Sequence, residues 1–301
     1  GPSVIKFLRA SGEAIDRELL RIYRWGCFDL RSKRLTTIKA YLFLLPFLFF
    51  FAFMVVCPIV IGFNLSLKAQ RGARMWYVGL NNYSKILTDP QFWESFKIPL
   101  YLLVIQVPLM IFFAIFVALL LEKVEGRRGA PVFRLVYYIP STIPAIVAAI
   151  VWGYMFSDSM SPFLPLLTLF GFSGKLLTRD IVPLVLLIII LWQFTGYTAI
   201  LIYSSLLSIP KEYSEQAQID GAGFWQIAFR IKVPIMKDTL ITLFIFNAIG
   251  AIQVFNEPWM LGGLVVLPIN YTPAMYIYNS AFAQGRFTYA AAMGLILAAM
   301  T

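Results

Sequence analysis

The chain has 301 residues, 60% of them hydrophobic and 13% charged, with a formal net charge of +10 and a mean hydropathy of +0.78. Soluble domains are about 45–50% apolar and about 25% charged, so this composition excludes one and indicates an integral membrane protein. Histidine is absent, which removes the commonest metal ligand and proton shuttle and any Ser-His-Asp set.

Residues 3–40 lack the apolar core of a signal peptide. Ile15, Leu19, Ile22 and Tyr23 share one helical face beside Arg17, Arg21 and Arg24. This predicts an amphipathic helix on the membrane surface or against the bundle, with a solvated helix as the competing reading. Residues 1–40 are thus set apart as a cytoplasmic N-terminal segment from a transmembrane domain over 41–301. Cys27 in the basic segment and Cys57 in the first apolar run form neither a disulfide framework nor a metal-binding spacing.

A first span is expected from Tyr41 to Leu67, with Pro46 and Pro58 inside it. An amphipathic loop comes next, then a second span from Ile98 to Leu121. The third, Leu135 to Phe156, contains Pro140 and Pro144; two prolines four apart free backbone carbonyls that a bundle or wet cavity must satisfy. Residues 157–180 read as a loop with an apolar piece, Phe163 to Phe170, too short to cross. The fourth span is Ile181 to Leu207 and the fifth Leu240 to Leu261, the next loop carrying Gly262 and Gly263. A sixth starts at Phe287; only 15 residues remain to Thr301, fewer than the roughly 20 a bilayer needs, so the natural chain is expected to continue. The fold expected is an all-α integral membrane protein of about six transmembrane helices. Of 25 Lys and Arg, 17 lie in residues 1–40, in 122–134 and between the fourth and fifth spans. Cytoplasmic loops carry such an excess, so both termini are expected in the cytoplasm. The positive charge is assigned to orientation and anionic lipid, not to nucleic acid.

The longest polar interruption of the apolar half runs from Ile209 to Lys237. Pro210 and Pro234 are expected to mark its ends. Tyr213, Ala217 and Gly221 read as a short helix stopped by glycine. Asp220 reads as the N-cap of a second short helix, with Phe224, Ile227 and Ile231 as its apolar face. The run Glu215-Gln216-Ala217-Gln218-Ile219-Asp220-Gly221-Ala222, with Phe229, Ile231 and Pro234 after it, resembles the EAA loop of binding-protein-dependent ABC importer permeases. That pattern is E-A-A-x-x-D-G-A, then an aromatic and I-x-L-P; Gln216 replaces its first Ala and Val233 its Leu. The lead-in Ile209–Tyr213 is similar too, as are Val78-Gly79-Leu80-Asn81-Asn82-Tyr83 and the later Asp89-Pro90 and Phe92-Trp93, which in the family come after the first span on the outer side. The resemblance runs from about Tyr41 to the C-terminus and is nearest the carbohydrate-importing, maltose-transporter branch.

The resemblance implies a permease subunit in the bacterial inner membrane, working with a second homologous permease (usually a different chain), two ATPase subunits and an extracytoplasmic solute-binding protein that delivers a carbohydrate. Glu215, Ala217, Asp220, Gly221 and Ala222 would form the ATPase-coupling knob. The chain itself holds no phosphate-binding loop: Gly171–Leu176 has the wrong spacing and no Ser or Thr after Lys175. ATP and Mg²⁺ are therefore expected on the partner ATPase, with no cofactor, metal or catalysis in this chain. For the substrate pathway, polar groups in mid-span are the candidates: Gln193, Tyr197, Asn247, Gln253 and Asn256, with Trp152, Trp192 and Trp259 as possible sugar platforms. Helix–helix hydrogen bonding is the competing role for the amides. Glu257, near the outer end of the fifth span, reads as facing water or contacting a partner, not as a proton-relay carboxylate. The rival functions are an importer of the same kind for a non-sugar solute, a secondary transporter, which would need intramembrane carboxylates, and a membrane-embedded enzyme.

Overall fold

The computed structural model describes residues 30–72, 74–158, 160–169 and 175–301. The amphipathic face expected over residues 15–24 lies outside them. The described residues divide into two compact units, one ending at Gly62 and the other beginning at Phe63. In the first, α1 (Leu30–Phe51) accommodates Pro46 and passes through a π-helical turn, Ala52–Val56, into α2 (Cys57–Ser66), whose last turn belongs to the second unit. The helix of the first span thus begins upstream of Tyr41.

The second unit continues with an antiparallel hairpin, β1 (Lys68–Arg71) and β2 (Arg74–Tyr77), an exception to the all-α expectation. Short helices α3 (Asn81–Leu87) and α4 (Pro90–Glu94) lead to the second span, built of α5 (Lys97–Tyr101), a π-turn (Leu102–Gln106) and α6 (Val107–Lys123). The third span is broken into α7 (Ala130–Thr142) and α8 (Ala145–Met155), bent by 92°. After α9 (Leu164–Leu169), α10 (Val182–Leu207) is an unbroken fourth span. The polar interruption forms α11 (Lys211–Ile219), α12 (Phe224–Ile227), a π-turn (Ala228–Lys232) and α13 (Val233–Ile235). The fifth span divides into α14 (Lys237–Ile252) and α15 (Asn256–Leu261). The loop after it is not featureless: it holds α16 (Pro273–Tyr278) and a π-turn (Asn279–Ala283) before α17 (Phe287–Met300). Among the described residues four stretches are long and apolar enough to cross a bilayer, five if the bent pair counts as one span, and α17 is a shorter apolar helix.

Proline explains most of these irregularities. Three of the π-turns end two residues before a proline, at Pro58, Pro108 and Pro234. In each, the residue preceding the proline donates its N–H five residues back: Cys57 to Ala52, Val107 to Leu102, Val233 to Ala228. A proline ring clashes with the carbonyl four residues earlier and offers no N–H to it; one wider turn relieves both problems and the helix continues. Pro234 therefore lies within continuous helix and does not terminate the polar segment. The third span meets the same problem differently. Ile143, just before Pro144, adopts φ −77° and ψ 129°, the extended conformation a following proline imposes, and the helix breaks.

The break leaves a carbonyl that lipid cannot satisfy. Gln193 of α10 supplies the donor: its side chain is 1% exposed and its Nε2 reaches the Ile143 carbonyl at 2.6 Å. One turn on, Gly196 is where α10 crosses α7, so closely that an added Cβ would overlap the Tyr137 carbonyl oxygen. Where α6 meets α10, Ala114, Ala118 and Ala199 share the core with Leu119, Ile202 and Leu206. Small residues at such crossings are how membrane helices gain van der Waals contact without a hydrophobic driving force from water.

The tract after the first span is a clasp. Gly79 takes a positive φ of 58°. The Asn82 amide donates to the carbonyls of Ser66 and Lys68, both at 2.7 Å, closing the end of α2. Asp89 caps α4 by accepting from the Gln91 N–H, and its second oxygen accepts from the hydroxyls of Tyr276 at 2.8 Å and Tyr289 at 2.9 Å. Burial, with the Asp89 carboxylate next, pushes the Tyr276 hydroxyl up to about 12, so it stays a donor at neutral pH. Ile86, Phe92 and Phe96 pack there with Ala290 and Met293 of α17.

Gly196→Ala should lower the melting temperature of the detergent-purified protein, because overpacking costs about 1–3 kcal/mol and the obstacle is backbone that cannot swing aside. Gly294→Ala in α17, where a Cβ meets nothing within 4 Å, should hold or raise it, since Ala is about 1 kcal/mol the better helix former. Equal melting temperatures for wild type and Gly196→Ala would remove the close crossing from the account.

Candidate functional site

A cavity of about 1170 Å³ lies between α10, α14 and α15, with Gln106 from the second span and Ala145 from the start of α8 in its wall. Tyr197, Asn247, Gln253 and Asn256 all line it. Gln193 does not; it is directed at the broken third span. The cavity-facing groups keep hydrogen-bonding capacity. Asn247 uses one amide hydrogen on the Leu243 carbonyl at 2.8 Å, which fixes the side chain and leaves its oxygen without a partner among the described residues. Tyr197 is half exposed and its hydroxyl makes no hydrogen bond among the described residues. Flat apolar surface comes from Phe194, Phe246 and Phe255. The three tryptophans are spent elsewhere: Trp152 packs edge-on to Trp192 at 5.6 Å, and Trp259 stacks on Phe255 at 5.5 Å and meets Tyr278 at 4.7 Å.

Two wall residues escape the sequence reading. Gln106 is a lone amide in an apolar run, 2% exposed, at the end of the π-turn before Pro108; an amide two residues before a proline was the available signal. Glu257, 6% exposed, is part of the wall. Hydroxyls of Ser204, Ser205, Thr239 and Thr242 continue the lining towards the polar segment. Ser205 and Thr239 are themselves hydrogen-bonded, at 3.1 Å. Amides, hydroxyls and aromatic faces suit a polyhydroxylated ligand, whose edges need donors and acceptors and whose ring faces need apolar surface.

The polar segment forms an elbow. Helix α11 ends in a left-handed turn at Gly221, φ +82°. The Gly221 N–H bonds the Gln218 carbonyl at 3.0 Å, and the Ala222 N–H bonds the Ala217 carbonyl at 2.9 Å, the paired closure of a Schellman turn. Asp220 is the C-cap of α11, not the N-cap of the next helix. That role falls to Gly223, whose N–H donates to the Gln226 side chain at 2.9 Å. Glu215, Asp220 and Gly221 are exposed and Ala222 partly so, whereas Ala217 is 9% exposed and turned inward.

Beyond Gly223 the elbow is fastened to the spans. Ala228 and Met236 enter the core formed by α6 and α10, with Val233 and Ile209 against it. Trp225 stacks on Phe116 at 6.0 Å, and Lys123 lies over the Phe224 ring at 5.5 Å. Lys232 pairs with Glu122 at 2.6 Å, their side chains 12% and 23% exposed. The first half of the elbow thus projects while the second half is held to the second and fourth spans.

The chain is similar to known proteins over most of its length. Residues 110–301 match the family described as "binding-protein-dependent transport system inner membrane component". The chain is 31% identical to the probable ABC transporter permease protein PH1215 of Pyrococcus horikoshii, over 86% of this chain and 90% of that one. It is 28% identical to the lactose transport system permease protein LacF of Rhizobium radiobacter, over 89% and 92%. The fold is shared with a chain in the crystal structure of a bacterial alginate ABC transporter in complex with an alginate pentasaccharide-bound periplasmic protein: TM-score 0.77 at 21% identity, covering 90% of this chain and 92% of that one.

The Lys232–Glu122 pair can be weighed by a double-mutant cycle. Each of Lys232→Met and Glu122→Leu alone should destabilise by about 1–3 kcal/mol, between the values for exposed and buried pairs. The double variant should recover most of the loss. Strictly additive losses would mean that the pair does not fasten the elbow.

Proposed function

The chain belongs to the family of binding-protein-dependent transport system inner membrane components, and we propose that it forms half of the translocation pathway of an ATP-driven oligosaccharide importer. The observation that carries the substrate class is the cavity wall of amides, hydroxyls and aromatic rings bounded by the helices to which the elbow is fastened. Relatives that import lactose, diacetylchitobiose and arabinooligosaccharides support it. The permease is not itself an enzyme; ATP hydrolysis belongs to a separate subunit, and the assembly includes a second permease and a solute-binding protein. ATP and Mg²⁺ sit on the ATPase.

In this reading the elbow is the coupling element. Helix α11 enters a cleft of the ATPase with Glu215 at a basic rim and Asp220, Gly221 and Ala222 at its tip. Ala217, turned inward, holds the helix against its own chain. When ATP closes the ATPase dimer, the displaced α11 carries the fastened half of the elbow, and with it α6, α10 and α14. The last two wall the cavity, so rigid-body movement opens it alternately to either side. Tyr197, Asn247, Gln253 and Asn256 contact the sugar in passage; Gln193 acts through the third span, whose α8 contributes Ala145 to the wall. The elbow and both termini lie in the cytoplasm, in keeping with the distribution of basic residues.

Gly221→Pro cannot adopt a φ of +82° because proline holds φ near −65°, and Glu215→Lys opposes a basic cleft. Both should abolish sugar uptake and reduce the ATPase recovered per permease on purification, with the spans still folded. Stoichiometric ATPase and binding-protein-stimulated hydrolysis in both variants would remove the elbow as coupling element.

Orientation is tested separately by an impermeant thiol reagent on intact cells, in a chain with its two native cysteines replaced. A cysteine at Gly79 should label and one at Gln218 should not; labelling at Gln218 would reverse the topology.

A further inference from the structure

The charge on the cavity wall is one-sided. Among the described residues two ionisable carboxylates line it, Asp238 at one end and Glu257 among the residues of α15, and no Lys or Arg does. Glu257 is the more consequential. It is more than nine-tenths buried, lies beside Asn256 and Phe255 in the wall, and forms no ion pair or hydrogen bond with another residue among those described. Helices α8 and α10 pack directly against α15, and Tyr278 of α16 meets Trp259 on it. None of these helices contains a basic residue. The one basic residue of α14, Lys237, is outside the wall.

A carboxylate withdrawn from water without a partner is costly and persists where something supplies donors. Among the described residues the chain supplies only Glu257's own backbone N–H, which leaves the other acceptor positions of the carboxylate open to a cargo in the cavity. A carboxylate accepts through two oxygens and makes hydrogen bonds about twice as strong as neutral ones, which fits it to adjacent hydroxyls of one sugar ring, with Phe255 offering an apolar face alongside. The same charge, on a wall with no Lys or Arg among the described residues, repels any cargo that carries carboxylate, sulfate or phosphate. We propose that Glu257 is a specificity-determining residue that binds paired hydroxyls and excludes anions, so the substrate is an uncharged oligosaccharide. This rests on the importer reading above and narrows it, because the fold alone does not decide the charge of the cargo.

The test uses the assembled complex of this chain with its partner permease and ATPase in lipid nanodiscs, without the solute-binding protein, so that selection by the binding protein plays no part. The probes are neutral tetrasaccharides of glucose, galactose, mannose, xylose and arabinose, and uronate tetrasaccharides of matched length, with Kd measured for each. At least one neutral glycan should bind and every uronate should be weaker by about tenfold or more, a difference of the size one charge-assisted contact provides. Glu257→Gln, nearly isosteric, should weaken the neutral ligand and shrink its advantage over the uronates about tenfold. A uronate that binds the wild type as tightly as the best neutral glycan, or an unchanged preference in Glu257→Gln, overturns the charge filter and leaves the importer reading standing. Binding of neither class overturns the carbohydrate reading itself, and the filter with it.

Discussion

The hydrogen bond from Gln193 to the Ile143 carbonyl holds together the two features on which the structure depends, a broken span and a straight one. Lipid offers no donor to an orphaned carbonyl, so a span cannot bend by 92° unless a neighbour satisfies it. Gln193 does so from α10, and Gly196, one turn later, lets the two helices come close enough for the bond to form. The bend directs the start of α8 to the cavity, where Ala145 forms part of the wall. A residue that reads as a ligand contact from its polarity is thus better explained as the support of the site.

The same economy recurs in the elbow. Its exposed half is shaped by a local device, the Schellman turn at Gly221, which needs only a residue without Cβ. Its inner half is fixed by long-range contacts: Trp225 on Phe116, Lys232 on Glu122, and Met236 and Ala228 in the core of α6 and α10. A helix that projects from a rigidly seated base transmits displacement to the spans instead of absorbing it, which is the mechanical requirement for linking a distant nucleotide cycle to a cavity between helices. The proline-linked π-turns serve the cavity as well. The one before Pro108 places Gln106 in the wall, in keeping with the frequent use of such turns at functional sites.

The cavity wall shows where polarity alone misleads. Tyr197, Asn247, Gln253 and Asn256 are cavity residues as their mid-span polarity suggests, yet the tryptophans are occupied with each other and with Phe255, and phenylalanines take the cavity surface instead. Tryptophan is no better a signal than phenylalanine here because which ring faces a cavity depends on the rotation of each helix about its axis, and that is set by neighbours. Glu257 is the plainest case. Near the outer end of an apolar run it reads as facing water or a partner; with α8 and α10 packed against α15, it is 6% exposed and part of the wall.

What the sequence by itself determined is whatever depends on local chemistry or on the bilayer: membrane residence, the approximate spans, the position and glycine stop of the elbow, and the family. Twenty apolar residues in a row have few alternatives in water, and a glycine that must take positive φ is legible without its surroundings. The tertiary structure decided what depends on residues far apart in the chain. Whether a proline widens a helix to a π-turn or breaks it rests on whether a neighbour can satisfy the freed carbonyl. The Asp89 clasp joins residues some 190–200 positions apart. The pairing of Lys232 with Glu122 spans 110. A buried amide or carboxylate carries no mark in the sequence of whether it faces a partner helix or a cavity, because that is a property of the helix next to it.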